Sequence, residues 1–198
     1  METLLKVLKE LDKDLFLIIN NFNSPFVDSI MFYVTDTEFW FPFYAVLLGF
    51  LVWKFKWSSL PIIGGLAIVI LFSDQLTSSF MKPFFERLRP CHETGIKDIV
   101  HLVDGCGKLY GFASGHASNS FGIATFLWLV TRKWWKYSVW MIAWAALVSY
   151  SRIYVGEHYP GDILVGALIG VLIALIFYVV YQKVLVKIKL PGSTYFPD

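Results

Sequence analysis

Hydrophobic residues in this chain fall into long blocks divided by short polar islands, and the block lengths suggest the architecture. Five blocks, near residues 38–55, 60–81, 113–131, 135–151 and 162–183, approach the roughly 20 apolar residues a helix needs to cross a bilayer. Ahead of them the pattern changes. In residues 3–22, Leu4, Leu5, Leu8, Leu11, Leu15, Ile18, Ile19 and Phe22 recur at helical spacing, while Lys6, Lys9, Glu10, Asp12, Lys13 and Asp14 take the other face. That periodicity predicts an amphipathic helix, lying in the membrane interface, packed on its own bundle, or both. Asn23, Ser24 and Pro25 break it, and a short helical piece follows from Phe26 to Tyr33. A further span over residues 14–34 is set aside, because Asn20, Asn21, Asn23, Ser24, Pro25 and Asp28 suit hydrocarbon poorly. The predicted fold is all-α: an integral membrane helical bundle of about five spans with an N-terminal amphipathic interfacial helix. It forms one domain over residues 1–198, with interfacial helices in 1–36 and a transmembrane core in 38–183.

Composition agrees. Hydrophobic residues make up 57% and charged residues 16%, against about 25% charged in soluble domains. The 18 Phe, 8 Trp and 10 Tyr suit rings placed at headgroup level. A net charge of +2 without a basic stripe argues against a nucleic-acid partner. The first residues lack the small-residue cleavage site of a secretory signal. With five alternating spans, the polar connections at 82–112 and 152–161 share one side. Lys54, Lys56, Arg132, Lys133, Lys136, Lys183, Lys187 and Lys189 fall on the other, which reads as cytoplasmic. Lys6, Lys9 and Lys13 run against that rule. Cys91 and Cys106 lie in the long polar connection. They leave three readings open: a disulfide in an oxidising compartment, a zinc site with His92 and His101, or two free thiols.

Charge beside a bilayer core is costly, at about 2.5–3.5 kcal/mol for a mid-helix Arg or Asp. Three polar islands nevertheless carry it: Lys82 to Pro90, Ala113 to His116, and Ser151 to Asp162. On one side of the membrane they assemble an anion site. Lys82, Arg89 and Arg152 supply cations, and arginine offers a planar fork that matches phosphate oxygens. Ser114, Gly115 and His116 are predicted to open a helix, whose first N–H groups favour an anion. Pro160 and Gly161 interrupt the pattern before the last block. His158 is therefore predicted in a turn and Asp162 in the first helical turn. Asp74, Ser78 and Lys82 share roughly one helix side, and Asp74 reads as a structural hydrogen-bond partner for a neighbouring helix.

These motifs resemble those of the type 2 phosphatidic acid phosphatase (PAP2) superfamily, which includes vanadium haloperoxidases and glucose-6-phosphatase. The family pattern is Lys, six residues, Arg-Pro; then Pro-Ser-Gly-His; then Ser-Arg, five residues, His, three residues, Asp. Here it is met by Lys82 with Arg89 and Pro90, by Ser114, Gly115 and His116, and by Ser151, Arg152, His158 and Asp162; Ala113 stands where the family usually has Pro. The resemblance implies that His158 attacks phosphorus to give a phosphohistidine and that Asp162 orients it. His116 would protonate the leaving oxygen and later activate water. Lys82, Arg89, Ser114, Gly115 and Arg152 would bind phosphate. No cofactor and no metal are expected, since fixed cations replace Mg²⁺ and the islands hold no carboxylate cluster. The expected substrate is a lipid phosphate, with membrane lipids as the other partners. Undecaprenyl diphosphate leads, followed by lipid A, then phosphatidylglycerol phosphate or phosphatidic acid. The expected location is a bacterial inner membrane with the site facing the periplasm. A haloperoxidase is disfavoured by the apolar blocks, and a non-catalytic binding protein by the two histidines.

Overall fold

The computed structural model describes residues 2–187, with side chains for 3–183. The Lys187 side chain and Lys189, used above for orientation, lie outside the described residues. Helix α1 spans Glu2–Asn21. Its leucines Leu4, Leu5, Leu8 and Leu11 are exposed, whereas Phe16 and Asn20 are buried. So α1 does both things its periodicity allowed: one side packs, and an apolar stripe stays open. Asn20 is the pin. Its side-chain amide donates to the Tyr154 carbonyl (2.8 Å) and the His101 carbonyl (2.9 Å), while its oxygen accepts from the His101 N–H (2.8 Å). Helix α2, Pro25–Thr35, starts where Ser24 accepts from the Val27 N–H and Pro25 sets the first turn.

Helix α3 spans Phe41–Phe55 and α4 spans Ser59–Asp74, with a short tight turn at Lys56–Ser58 between them. Helix α4 then widens into a π-helical segment, Gln75–Met81, and tightens again as α5, Lys82–Phe85. Glu86 ends it in the left-handed region at φ 47°. Helix α6 is Gly115–Thr131, α7 is Trp140–Tyr154 and α8 is Pro160–Lys187. Named strands are absent among the described residues, where a single antiparallel bridge, Leu88 with Tyr110, closes the polar connection.

Helix α6 lies at the centre, buried along most of its length against α4, α7 and α8. Glycine lets α8 come close. A Cβ at Gly170 would strike the Ser118 carbonyl, and one at Gly166 the Ser114 carbonyl. Leu51, Phe55, Ile62, Phe126, Leu127 and Ala145 fill the main core. The outer faces remain apolar, with Val46, Trp53, Leu164, Leu168 and Ile176 exposed, as expected for surfaces that meet lipid. Among the described residues, two stretches are long and apolar enough to cross a membrane, Glu38–Phe85 and Pro160–Lys183. The Lys56–Ser58 turn divides the first into α3 and α4. Helices α6 and α7 are 17 and 15 residues long, so five crossings require these two to serve as short spans.

Candidate functional site

Each polar island ends at one cavity of about 660 Å³. Lys82 reaches it from the end of the π-helical segment, Arg89 from the loop after α5, and Arg152 from the last turn of α7. Gly115 and His116 line it from the first turn of α6, and His158 from the turn between α7 and α8. Asp74 and Ser78 line it too, one turn apart, with the Ser78 hydroxyl donating to Asp74 Oδ1 at 3.0 Å. This bond stays within one helical run, so it differs from the expected partnership of Asp74 with a neighbouring helix. From this polar end the cavity runs on between Leu47, Leu66, Ile70, Ile123 and Val148.

Two residues take places that differ from the rest of the set. Asp162, fully buried, does not line the cavity; it stands behind His158 in the first turn of α8, with Oδ2 3.4 Å from His158 Nδ1. The same oxygen accepts from the Tyr159 N–H at 3.1 Å. Ser114 was expected to offer its hydroxyl to phosphate. It is buried away from the cavity lining instead, and its Oγ accepts from the Ala117 N–H as the N-cap of α6. The hydroxyl oxygen caps the helix, and Gly115 and His116 are the part of that terminus lining the cavity.

The ion pairs around the cavity bring in groups that motif spacing does not mark. Glu157 pairs with Arg89 and lies 3.2 Å from Arg152 Nη2, and its other oxygen accepts from the Gly107 N–H at 2.7 Å. One buried carboxylate thus aligns two guanidinium forks. Arg152 also donates to the Thr35 hydroxyl at 2.5 Å, and the Thr37 hydroxyl lies 3.4 Å from His116 Nε2. Arg87 bridges Asp162 Oδ1 and Asp12 Oδ2, both at 2.7 Å. The available signal for Glu157 and Arg87 was charge beside the bilayer. Nothing in the pattern separates Asp12 from its charged neighbours on α1.

His158 is buried among cations. Burial, then the charges of Arg89, Arg152, Lys82 and Arg87, hold its imidazole well below the ordinary histidine value. It is therefore neutral near pH 7, with a free lone pair. Arg89, also buried, is lowered by that burial but stays a cation.

The polar connection is closed by a disulfide between Cys91 and Cys106. Those sulfurs and the His92 ring lie close enough together to hold an ion. Joined as a disulfide, though, the sulfurs are no longer thiolate ligands, and His92 Nε2 bonds the Gly107 carbonyl at 2.9 Å. His101 is elsewhere, 3.0 Å from Asp28. The disulfide reading replaces both the zinc and the free-thiol readings.

Comparison with known proteins follows the same lines. The sequence profile of the PAP2 superfamily matches residues 63–185. The lipid A 4′-phosphatase of Bacteroides thetaiotaomicron is 39% identical over 189 residues, covering 94% of this chain and 84% of that protein. The undecaprenyl-diphosphatase of Sulfolobus acidocaldarius is 32% identical over 133 residues, covering 66% of this chain and 58% of that one. The crystal structure of LpxE from Aquifex aeolicus superposes with a TM-score of 0.62 at 30% identity, over 84% of this chain and 94% of that chain.

Proposed function

This chain belongs to the PAP2 superfamily and is an integral membrane lipid phosphatase, and on that premise we propose that it removes a phosphate from lipid A, at the 4′ position. What carries the choice of lipid is the 39% identity to a lipid A 4′-phosphatase across 94% of the chain. Undecaprenyl diphosphate, the first expectation from sequence, gives way: the relative of that name matches more weakly and over less of the chain. The motifs could not have decided this, because they bind phosphate and leave the rest of the lipid unread. The cavity supports a lipid substrate of some kind, since one end is cationic and the rest is apolar.

The reaction runs through His158. With Nδ1 turned to Asp162, Nε2 attacks phosphorus and forms a P–N bond as the P–O bond to the sugar oxygen breaks. His116 gives that oxygen its proton. Water, deprotonated by His116, then attacks the phosphohistidine and releases inorganic phosphate, restoring both histidines. Lys82, Arg89, Arg152 and the α6 N-terminus at Gly115 hold the three equatorial oxygens as charge builds, which is where the catalytic benefit lies. Fixed cations do the work a metal ion would do, so turnover is expected in EDTA.

The site faces the periplasm from the inner membrane. The Cys91–Cys106 disulfide in the connection beside it supports that side, because disulfides persist in oxidising compartments. The lysines and arginines of the opposite connections agree with it. Phosphate release by the purified protein from lipid A, undecaprenyl diphosphate, phosphatidylglycerol phosphate and phosphatidic acid tests the reading. Lipid A is expected to give the highest kcat/KM; a higher value for undecaprenyl diphosphate overturns the choice of lipid.

A further inference from the structure

Two carboxylates and one guanidinium form a line from α1 to the nucleophile. Asp12 Oδ2 and Arg87 Nη2 are 2.7 Å apart, Arg87 Nη1 and Asp162 Oδ1 are 2.7 Å apart, and Asp162 Oδ2 lies 3.4 Å from His158 Nδ1. Asp12 is not a surface pair that happens to be close. Its side chain is 15% exposed, and its second oxygen accepts from the Gly161 N–H of α8 at 2.7 Å. Arg87 is also held over the Tyr159 ring at 4.1 Å. The guanidinium is thus fixed on three sides, and one fork faces each carboxylate.

We infer that Asp12, on the amphipathic helix α1, is a positioning residue: it holds Arg87 against Asp162, and through Asp162 it orients His158. The inference rests on reading His158 as the nucleophile. Arg87 alone would pull Asp162 toward itself and spread its positive charge over the imidazole. Asp12 balances that charge, so Asp162 keeps its negative field on His158 and its grip on Nδ1. It also secures the start of α8, the helix that carries Asp162, by accepting from Gly161. Helix α1 is the element with the exposed leucine stripe, so the part of the chain that meets the membrane interface is tied to the reacting histidine through two ion pairs that share Arg87.

The electrostatics give a signature that loose packing does not. The charged and titratable groups facing His158 are Asp162 from α8, Arg152 from α7, His116 from α6, Lys82 at the start of α5, and Arg89 and Arg87 from the loop after it. Glu157 stands behind the arginines and Asp12 behind Arg87. Removing the Asp12 charge leaves that field more positive. Protonation of His158 then needs a lower pH, and the neutral ring becomes a weaker nucleophile. Outer partners that orient a histidine cost roughly 10–100-fold when removed, as known from histidines at metal sites.

The test is the pH profile of kcat/KM for Asp12→Asn and Asp12→Glu in full-length protein, with lipid A as substrate and the thermal midpoint recorded. Asn keeps an acceptor for Gly161 and loses the charge. Asp12→Asn is expected to lower kcat about 10-fold, leave KM nearly unchanged and move the acid limb to lower pH. Asp12→Glu is expected to return the limb toward its original place. An Asp12→Asn profile lowered equally at every pH, with its limb unmoved, overturns the inference, because it shows Asp12 only docking α1. That result leaves the nucleophile assignment standing. Full turnover by His158→Ala, measured in parallel, overturns the assignment itself.

Discussion

Arg152 holds three positions at once. It lines the cavity, donates to Thr35 at 2.5 Å, and pairs with Glu157 at 3.2 Å. Its fork is therefore already held in place for the phosphate-binding role proposed for it. Lysine would keep the charge and lose the planar donors. Losing a charge-assisted hydrogen bond costs about 1.5–3 kcal/mol, so Arg152→Lys is expected to lower kcat/KM by roughly 10–150-fold, read from steady-state phosphate release. His158 makes the residue-scale prediction in pH. Its folded value lies below the ordinary 6.5, pushed there first by burial and then by the neighbouring cations. The acid limb of kcat/KM is expected below pH 6.5, where protonation removes the lone pair. Unfolded chains take up this proton near pH 6.5 and the folded protein only at lower pH, so this histidine's contribution to stability is lost as pH falls below 6.5. Most of the site was legible for one physical reason: charge beside a bilayer is expensive, so Lys82, Arg89, Arg152 and Asp162 stand out wherever they occur. Asp12 was not legible, being one of several charges on the polar face of α1. The capping role of Ser114 was not legible either, because spacing does not say whether a hydroxyl at a helix start faces a ligand or the helix's own N–H groups.

At the scale of elements, α6 and α8 bring the chemistry together. The first turn of α6 carries His116, and the first turn of α8 carries Asp162. The two starts are joined by the Ser114 N–H, which donates to the Asp162 carbonyl at 3.1 Å. Further along, glycine makes the fit. A methyl group at Gly170 would strike the Ser118 carbonyl and the Gly122 backbone nitrogen, neither of which is a flexible side-chain end. Gly170→Ala is expected to push the helices apart at a cost of about 1–3 kcal/mol. A lowered thermal midpoint together with reduced kcat would report it. The helices themselves were readable as blocks and periodicity. The π-helical widening at Gln75–Met81 was not, because hydrophobic spacing marks the face of a helix and not its pitch. Asp74, Ser78 and Lys82 all line the cavity even so.

Across the whole molecule, the parts divide the work. The apolar outer faces keep the chain in the membrane, and the cavity between α3, α4, α6 and α7 joins a cationic end to an apolar interior. The polar connection, closed by its disulfide, supplies Arg87 and Arg89. Such an arrangement needs only a histidine, fixed cations and a proton donor to cleave a phosphate ester. The most direct test of that claim is transfer of radiolabelled phosphate from lipid A to the purified protein, quenched under alkaline conditions that preserve phosphohistidine, with EDTA throughout. Label is expected on the wild-type chain, lost on acid treatment, and absent from His158→Ala. Undiminished labelling or turnover by His158→Ala would contradict the account.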